Sequence, residues 1–173
     1  MKRNVRGGLS VKVLMLVGAT GAVNSILVSG MVNYMLGVEW KEDYRYKLIV
    51  EDEGLSQAYS QTKEITAYTF YPMKGSAIPY TFTITDTPEF GNTEGLKRDK
   101  LITSQIKEFF SISPPNGTDH LGGVGFVTQA SLAHLPPTQE YIFNSVLSIF
   151  GNYVSKKIFM MLTFAHGQHP PVV

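Results

Sequence analysis

Residues 18–25 read GATGAVNS and follow the apolar run VKVLMLV at residues 11–17. A short run of branched and flexible apolar residues is typical of a strand buried in a parallel sheet. Glycines directly after such a run predict a tight turn, and the residues after the turn favour a helix over about 25–36. The stretch therefore predicts a strand, a glycine-containing loop and a helix, in that order.

This loop resembles the phosphate-binding P-loop pattern, which reads Gly, any four residues, Gly, Lys and then Ser or Thr. Gly18 and Ser25 occupy the first and last positions, but Val23 stands in the place of the second glycine and Asn24 in the place of the lysine. The glycine lets the backbone approach the phosphates and the lysine neutralises their charge, so both changes weaken the predicted site. Ser25 can still ligate magnesium. The candidate nucleotide-binding residues here are Gly18, Ala19, Thr20, Gly21, Ala22, Val23, Asn24, Ser25 and Ile26.

The same region raises a membrane alternative, because residues 13–38 contain no charge and basic residues precede them. Length and flanks alone are those of a signal anchor or transmembrane helix. Polar residues and glycines interrupt the stretch, however, and we therefore favour the strand, loop and helix and expect no membrane span.

Composition narrows the class of protein. The chain has 173 residues, of which 43% are hydrophobic and 17% charged, and this is typical of a globular domain rather than a disordered chain. A net charge of +1 predicts no attraction to nucleic acid. The absence of cysteine excludes disulfides and thiolate metal sites, and it favours a reducing compartment, so we expect a cytoplasmic protein.

The remaining segments predict an alternating α/β domain. Apolar and β-branched runs predict strands at 62–71, 80–85, 121–128 and 157–163, and apolar spacing predicts helices at 96–110 and 137–150. The residues expected to face the sheet in the first helix are Ile26, Gly30, Val32 and Met35, and those spaced for one apolar face in the helix at 96–110 are Leu101, Ile102, Ile106 and Phe109. The turn-rich residues between the first two of these strands predict an antiparallel hairpin. We expect a three-layer α/β fold over residues 11–173, with a mostly parallel sheet, one antiparallel edge strand and helices on both faces, preceded by a flexible leader at 1–10.

Two further motifs follow predicted strands. Asp86 begins DTPEFG at a strand end, where it would hold magnesium beside a P-loop; the alternative is an Asp that caps a turn. Glu89 stands three residues later, where a glycine would give its amide to the γ-phosphate. His166 ends TFAH, at the position where an Asp would accept hydrogen bonds from guanine. A metal site formed by His166 and His169 is the weaker alternative, because no third ligand is evident.

These motifs in order, LMLVGATG, TITDTPEFG and LTFAHGQHPP, resemble septin-like P-loop GTPases and the immunity-associated, AIG-type branch near them. The resemblance covers about residues 11–171. It implies binding of guanine nucleotide with Mg²⁺, held by Ser25, Asp86 and a switch threonine at Thr62 or Thr66. It also implies a homodimer through the nucleotide face. A complete domain of this type would add a further strand and helices, so we expect an uncovered, apolar sheet face that binds a protein partner.

Two hypotheses follow. The first is a GTPase-like domain with weakened nucleotide binding and inefficient hydrolysis. The second is a pseudo-GTPase that serves as an interaction module, or a truncated and non-functional fragment. Val23, Asn24, Glu89 and His166 favour the second because all four fall on expected nucleotide contacts.

Overall fold

The computed structural model describes residues 10–19, 24–48, 64–91, 95–113, 118, 120–132 and 136–165. The predicted order of elements is confirmed. The strands are β1 (Val11–Gly18), β2 (Thr66–Phe70), β3 (Thr81–Asp86), β4 (Gly123–Gln129) and β5 (Ile158–Thr163). The α-helices are α1 (Asn24–Met35), α2 (Leu96–Phe109) and α3 (Pro137–Phe150), and two single 3₁₀ turns precede β5.

The strands form one sheet in the order β2-β3-β1-β4-β5. β1 pairs in parallel with β3 and β4, and β4 pairs in parallel with β5. β2 pairs with β3 antiparallel at the edge, so the predicted hairpin is confirmed. The uncharged stretch 13–38 forms a strand and a helix of 12 residues. Among the described residues, no helix is long and apolar enough to span a membrane.

Alternate residues of the central strands divide the core between the two faces of the sheet. Met15, Val17 and Phe126 pack with buried residues of α2 and α3. Leu16 and Ile84 pack on the opposite face with α1. We call these the α2/α3 face and the α1 face. Helices therefore cover both faces, as strands buried on both sides require.

The predicted orientation of α1 is wrong in part. Ile26 and Gly30 were expected to contact the sheet, but Ile26 is 67% exposed and Gly30 is also exposed. The buried apolar residues are Val32 and Met35, as predicted, together with Val28, one turn before Val32. α1 has no charged side chain to mark its solvent side, so apolar spacing does not determine its rotation.

α2 deviates in a similar way. Ile102 and Ile106 are buried as expected, but Leu101 is about half exposed. α2 also buries Asp99, one turn before Thr103. A charged residue at a buried position cannot be identified from the pattern of apolar residues. α3 has the predicted bounds and buries Ile142 and Val146.

Candidate functional site

The candidate site lies at the carboxyl edge of the sheet, beyond the end of β1. β1 is followed by α1 on one face of the sheet, whereas its neighbours β3 and β4 are followed by α2 and α3 on the other face. In an open parallel sheet, this reversal of direction opens a crevice outside the strand ends, which is where ligands bind. The topology and the glycine motif therefore indicate the same place.

The described ends of the glycine loop lie at this edge. Gly18 is the last residue of β1 and pairs with Val127 of β4, and Ala19 forms a parallel bridge with Phe90. Asn24 begins α1, and the first amide groups of a helix have no partner within the helix and attract anions. The flanking strand and helix therefore have the order that a phosphate-binding loop requires.

Asp86 is the last residue of β3 and lies beside β1, where its register partner is Leu16. Asp86 is only 1% exposed. On the other side, its partner across the hairpin is Thr66, the first residue of β2. The structure therefore places the two candidate magnesium ligands Asp86 and Thr66 opposite each other on neighbouring strands.

Tyr68 lies two residues further along β2, opposite Ile84. Burial raises the pKa of its phenol above the ordinary value, and the negative charge of Asp86 raises it further. Both effects disfavour the phenolate. Tyr68 is therefore a neutral side chain in the surroundings of the Asp86 carboxylate at neutral pH.

The turn after Asp86 is attached to its neighbours at several points. Thr87 Oγ1 donates a hydrogen bond to the carbonyl oxygen of Leu16 at 2.8 Å, and the amide of Phe90 donates to the carbonyl oxygen of Gly18 at 3.2 Å. The amide of Gly91 donates to Oδ1 of Asp99 at 2.9 Å. The turn is therefore bonded to β1 on one side and to α2 on the other.

A buried polar pair at the same edge was not predicted. Thr128, near the end of β4, donates from Oγ1 to Oε1 of Gln139 in the first turn of α3 at 2.9 Å, and both residues are buried. Thr163 Oγ1 in turn donates to the carbonyl oxygen of Thr128 at 3.2 Å. Sequence offered one weak signal, a polar residue just after the prolines that begin α3. Asp99, likewise missed, lies in the first turn of α2, where acids are common.

Several predicted site residues lie outside the described part of the chain. For Asn24 and Ser25 the structure describes the backbone at the start of α1. Those outside are Thr20, Gly21, Ala22, Val23, Thr62 and His166.

Ile26 contributes to an apolar groove beside α1 rather than to the buried core. The groove has a volume of about 610 Å³. Its walls come from α1, from the hairpin around β3 and from the end of β5. The residues around it are Ile26, Leu27, Gly30, Met31, Tyr34, Met35, Ile78, Tyr80, Phe82, Leu162, Thr163 and Phe164.

Solved structures with a similar fold include those of Toc33 and of the signal recognition particle receptor SRb. Toc33 from Arabidopsis thaliana, in a dimerisation-deficient mutant, has a TM-score of 0.62 and 14% sequence identity over 88% of this chain and 50% of that chain. Toc33 from Arabidopsis thaliana in complex with Mg²⁺ and GMPPNP has a TM-score of 0.59 and 15% identity over 89% and 50%. The signal recognition particle receptor SRb-GTP/SRX complex from Chaetomium thermophilum has a TM-score of 0.50 and 19% identity over 88% and 68%.

The chain thus spans about half the length of the Toc33 chains it matches. No protein-family profile matches the sequence, and no curated protein matches it either. Identities of 14–19% establish the fold alone. The septin-like and immunity-associated branch therefore stays a prediction. The chain has an α/β fold like that of Toc33 and SRb, with a mostly parallel five-stranded sheet and one antiparallel strand.

Proposed function

We propose that the chain binds guanine nucleotide together with Mg²⁺ at the carboxyl edge of β1, more weakly than a P-loop with its glycine and lysine, and hydrolyses it inefficiently. The observation that carries this proposal is the position of Asp86. A carboxylate that is almost wholly buried ends β3, next to the strand from which the glycine loop begins. Burying a charge is costly unless a partner compensates it, and a divalent cation at this edge would be such a partner.

The residues present suit magnesium. Mg²⁺ prefers oxygen ligands, keeps several waters and is usually bound through one or two carboxylates together with substrate phosphates. Asp86 would supply the carboxylate. Thr66, opposite it on β2, and Ser25, at the start of α1, would supply hydroxyl groups. Such an ion needs no cluster of three acidic or imidazole ligands, and none occurs among the described residues.

The weakening follows from two residues of the loop. Asn24 offers hydrogen bonds but no positive charge to the phosphates, and Val23 adds bulk where a glycine would let them approach. Losing one charge-assisted contact costs about 1.5–3 kcal/mol, which is roughly one to two decades of affinity. Glu89 adds a negative charge in the turn after Asp86, and this favours inefficient hydrolysis.

The preference for guanine rests on the resemblance alone. His166 does not offer the two acceptors with which an Asp recognises the base. We therefore expect weak discrimination between GTP and ATP analogues.

Titration of a fluorescent GTP analogue in the presence of Mg²⁺ tests the proposal. We expect saturable binding that Asp86→Asn weakens about tenfold or more, since the amide keeps the shape and removes the charge. Asp43→Asn, at an exposed loop position, is the matched control and should change nothing.

The double change Val23→Gly with Asn24→Lys should strengthen binding by roughly one to two decades. A dissociation constant of about 1 mM corresponds to a binding free energy of about −4.1 kcal/mol. If neither the unmodified chain nor this double variant is saturated by about 1 mM nucleotide, the proposal is contradicted. In that case the interaction module becomes the better description.

One observation favours this second candidate, an interaction module that forms a homodimer. Large apolar side chains are exposed along α1 and β5 beside the 610 Å³ groove. The Toc33 structure in a dimerisation-deficient mutant indicates that a protein of this fold dimerises. We propose that a second copy of this chain binds this surface.

A further inference from the structure

Asp99 is a buried carboxylate, and among the described residues no ion pair is seen to it. The residue is 4% exposed and lies in the first turn of α2. Its Oδ1 accepts a hydrogen bond from the amide of Gly91 at 2.9 Å. A buried carboxylate is retained only where hydrogen bonds compensate its lost hydration, so this contact is an obligatory part of its environment.

The next amide along the chain points to a different element. The amide of Phe90 donates to the carbonyl oxygen of Gly18 at 3.2 Å, and Phe90 forms a parallel bridge with Ala19. The Phe90 side chain is fully buried in the core of the α2/α3 face. Two consecutive amides thus bind the turn to α2 on one side and to the start of the glycine loop on the other.

The backbone of the turn is restricted at Gly91. Gly91 has a φ of 70°, a conformation that side chains disfavour. A Cβ atom added there would collide with Cγ2 of Thr138 in the first turn of α3. Gly91 is itself exposed to solvent, but its backbone lies between Asp99 and the side chain of Thr138, and the preceding residue, Phe90, is fully buried.

We propose that Asp99 is a positioning residue for the nucleotide loop. Its carboxylate holds Gly91, and through Phe90 it fixes Gly18 and Ala19 at the entrance to the loop. The proposal rests on the proposed function for its effect on nucleotide affinity. Its mechanical part, from Asp99 to Gly18, does not depend on nucleotide.

Two substitutions separate the hydrogen bond from the charge. Asp99→Ala removes both the acceptor and the negative charge near the helix N-terminus. Asp99→Asn removes the charge but keeps an acceptor oxygen for Gly91, so it should rescue the contact. Lys100→Ala, exposed in the same turn, is the matched control. If the alanine variant fails to fold, Asp99→Ser replaces it, since this side chain stays polar but is too short to reach Gly91.

Amide hydrogen exchange, followed by NMR without nucleotide, measures the mechanical part. Asp99→Ala should speed exchange of Gly91 about tenfold or more, because its acceptor is gone. It should also speed exchange of Phe90, whose acceptor Gly18 is untouched. Asp99→Asn and Lys100→Ala should leave both amides close to the unmodified rates. Faster exchange at Gly91 with no change at Phe90 overturns the proposal, because the effect would then be local.

Nucleotide affinity measures the consequence and should be determined in the Val23→Gly, Asn24→Lys background. We expect Asp99→Ala to weaken binding of the fluorescent GTP analogue at least about fivefold, and Asp99→Asn to restore it. Unchanged affinity despite faster exchange at both amides overturns the positioning role. If no variant binds nucleotide, the proposed function fails, and exchange at Phe90 alone then decides whether Asp99 positions the loop entrance.

Discussion

At the scale of single residues, buried polar side chains hold the carboxyl edge together. Thr128 joins β4 to α3 through Gln139 and joins β4 to β5 through its carbonyl oxygen, which Thr163 contacts. In a water-free position such a hydrogen bond matters chiefly because either partner alone would remain unsatisfied. Asp99 is buried as well, and its Oδ1 accepts a hydrogen bond from the amide of the exposed Gly91.

Thr128→Val should lower the free energy of unfolding by about 1–3 kcal/mol, because Oε1 of Gln139 loses its donor while the shape of the side chain is kept. The double variant Thr128→Val, Gln139→Leu should recover much of this loss, since both partners are then apolar. Urea denaturation of the two single variants and the double variant measures the coupling. Strictly additive losses would contradict a direct interaction between the two side chains.

At the scale of elements, α1 has two functions that lie on different sides of the helix. Val28, Val32 and Met35 pack on the sheet. Asn33, also buried, faces the segment that follows the helix. Its Nδ2 donates to the carbonyl oxygens of Ser29 and Tyr46 at 2.7 and 2.8 Å, and its Oδ1 accepts from the amide of Tyr46 at 2.8 Å. One amide side chain therefore fastens residues 38–48 to α1.

Asn33→Ala should release this segment while leaving the sheet intact. We expect faster tryptic cleavage after the basic residues Lys41, Arg45 and Lys47, because the backbone around Tyr46 loses both side-chain hydrogen bonds. Limited proteolysis with mass spectrometry identifies the cleavage sites. Ser29→Ala keeps the backbone acceptor and serves as the control. Equal cleavage rates in Asn33→Ala and the control would show that Asn33 does not hold the segment.

At the scale of the whole molecule, the two edges of the sheet differ. β2 forms one edge within its hairpin, whereas β5 forms the other and exposes Phe159 and Met160 on opposite faces. Edge strands of natural proteins are usually protected by charges, prolines or bulges. The sequence of β5, IFMMLT, contains no charged residue and no proline. Together with the groove beside α1, this edge forms an exposed apolar surface.

Met160→Lys should therefore reduce self-association of the chain. A charge on the exposed edge opposes pairing with a second copy, whereas it costs little in a monomer because the side chain is already about half exposed. Sedimentation velocity over a range of protein concentrations measures the effect. Lys156→Met, at an exposed position just before β5, is the matched control for side-chain length. A chain that is monomeric at all concentrations before substitution would contradict this surface as a dimer interface.

The order of elements and most of their bounds could be predicted from sequence, because strand and helix periods and Gly or Pro positions are local properties. The start of the hairpin strand shows the limit: β2 begins at Thr66, so residues 64 and 65 do not belong to the strand, contrary to the prediction, and residues 62 and 63 lie outside the described residues. β4 begins at Gly123, two residues after the predicted start. In both cases ladder pairing with a distant strand sets the boundary, and composition does not contain that information.

For this protein, sequence by itself determined the α/β class, the glycine loop between β1 and α1, and the position of Asp86 at a strand end. Only the tertiary structure decided that Asp99 is buried and that Ile26 is exposed. The reason is physical. A periodic pattern reports how apolar residues repeat along one element, whereas the burial of a polar side chain depends on which hydrogen-bond donor another element brings to it.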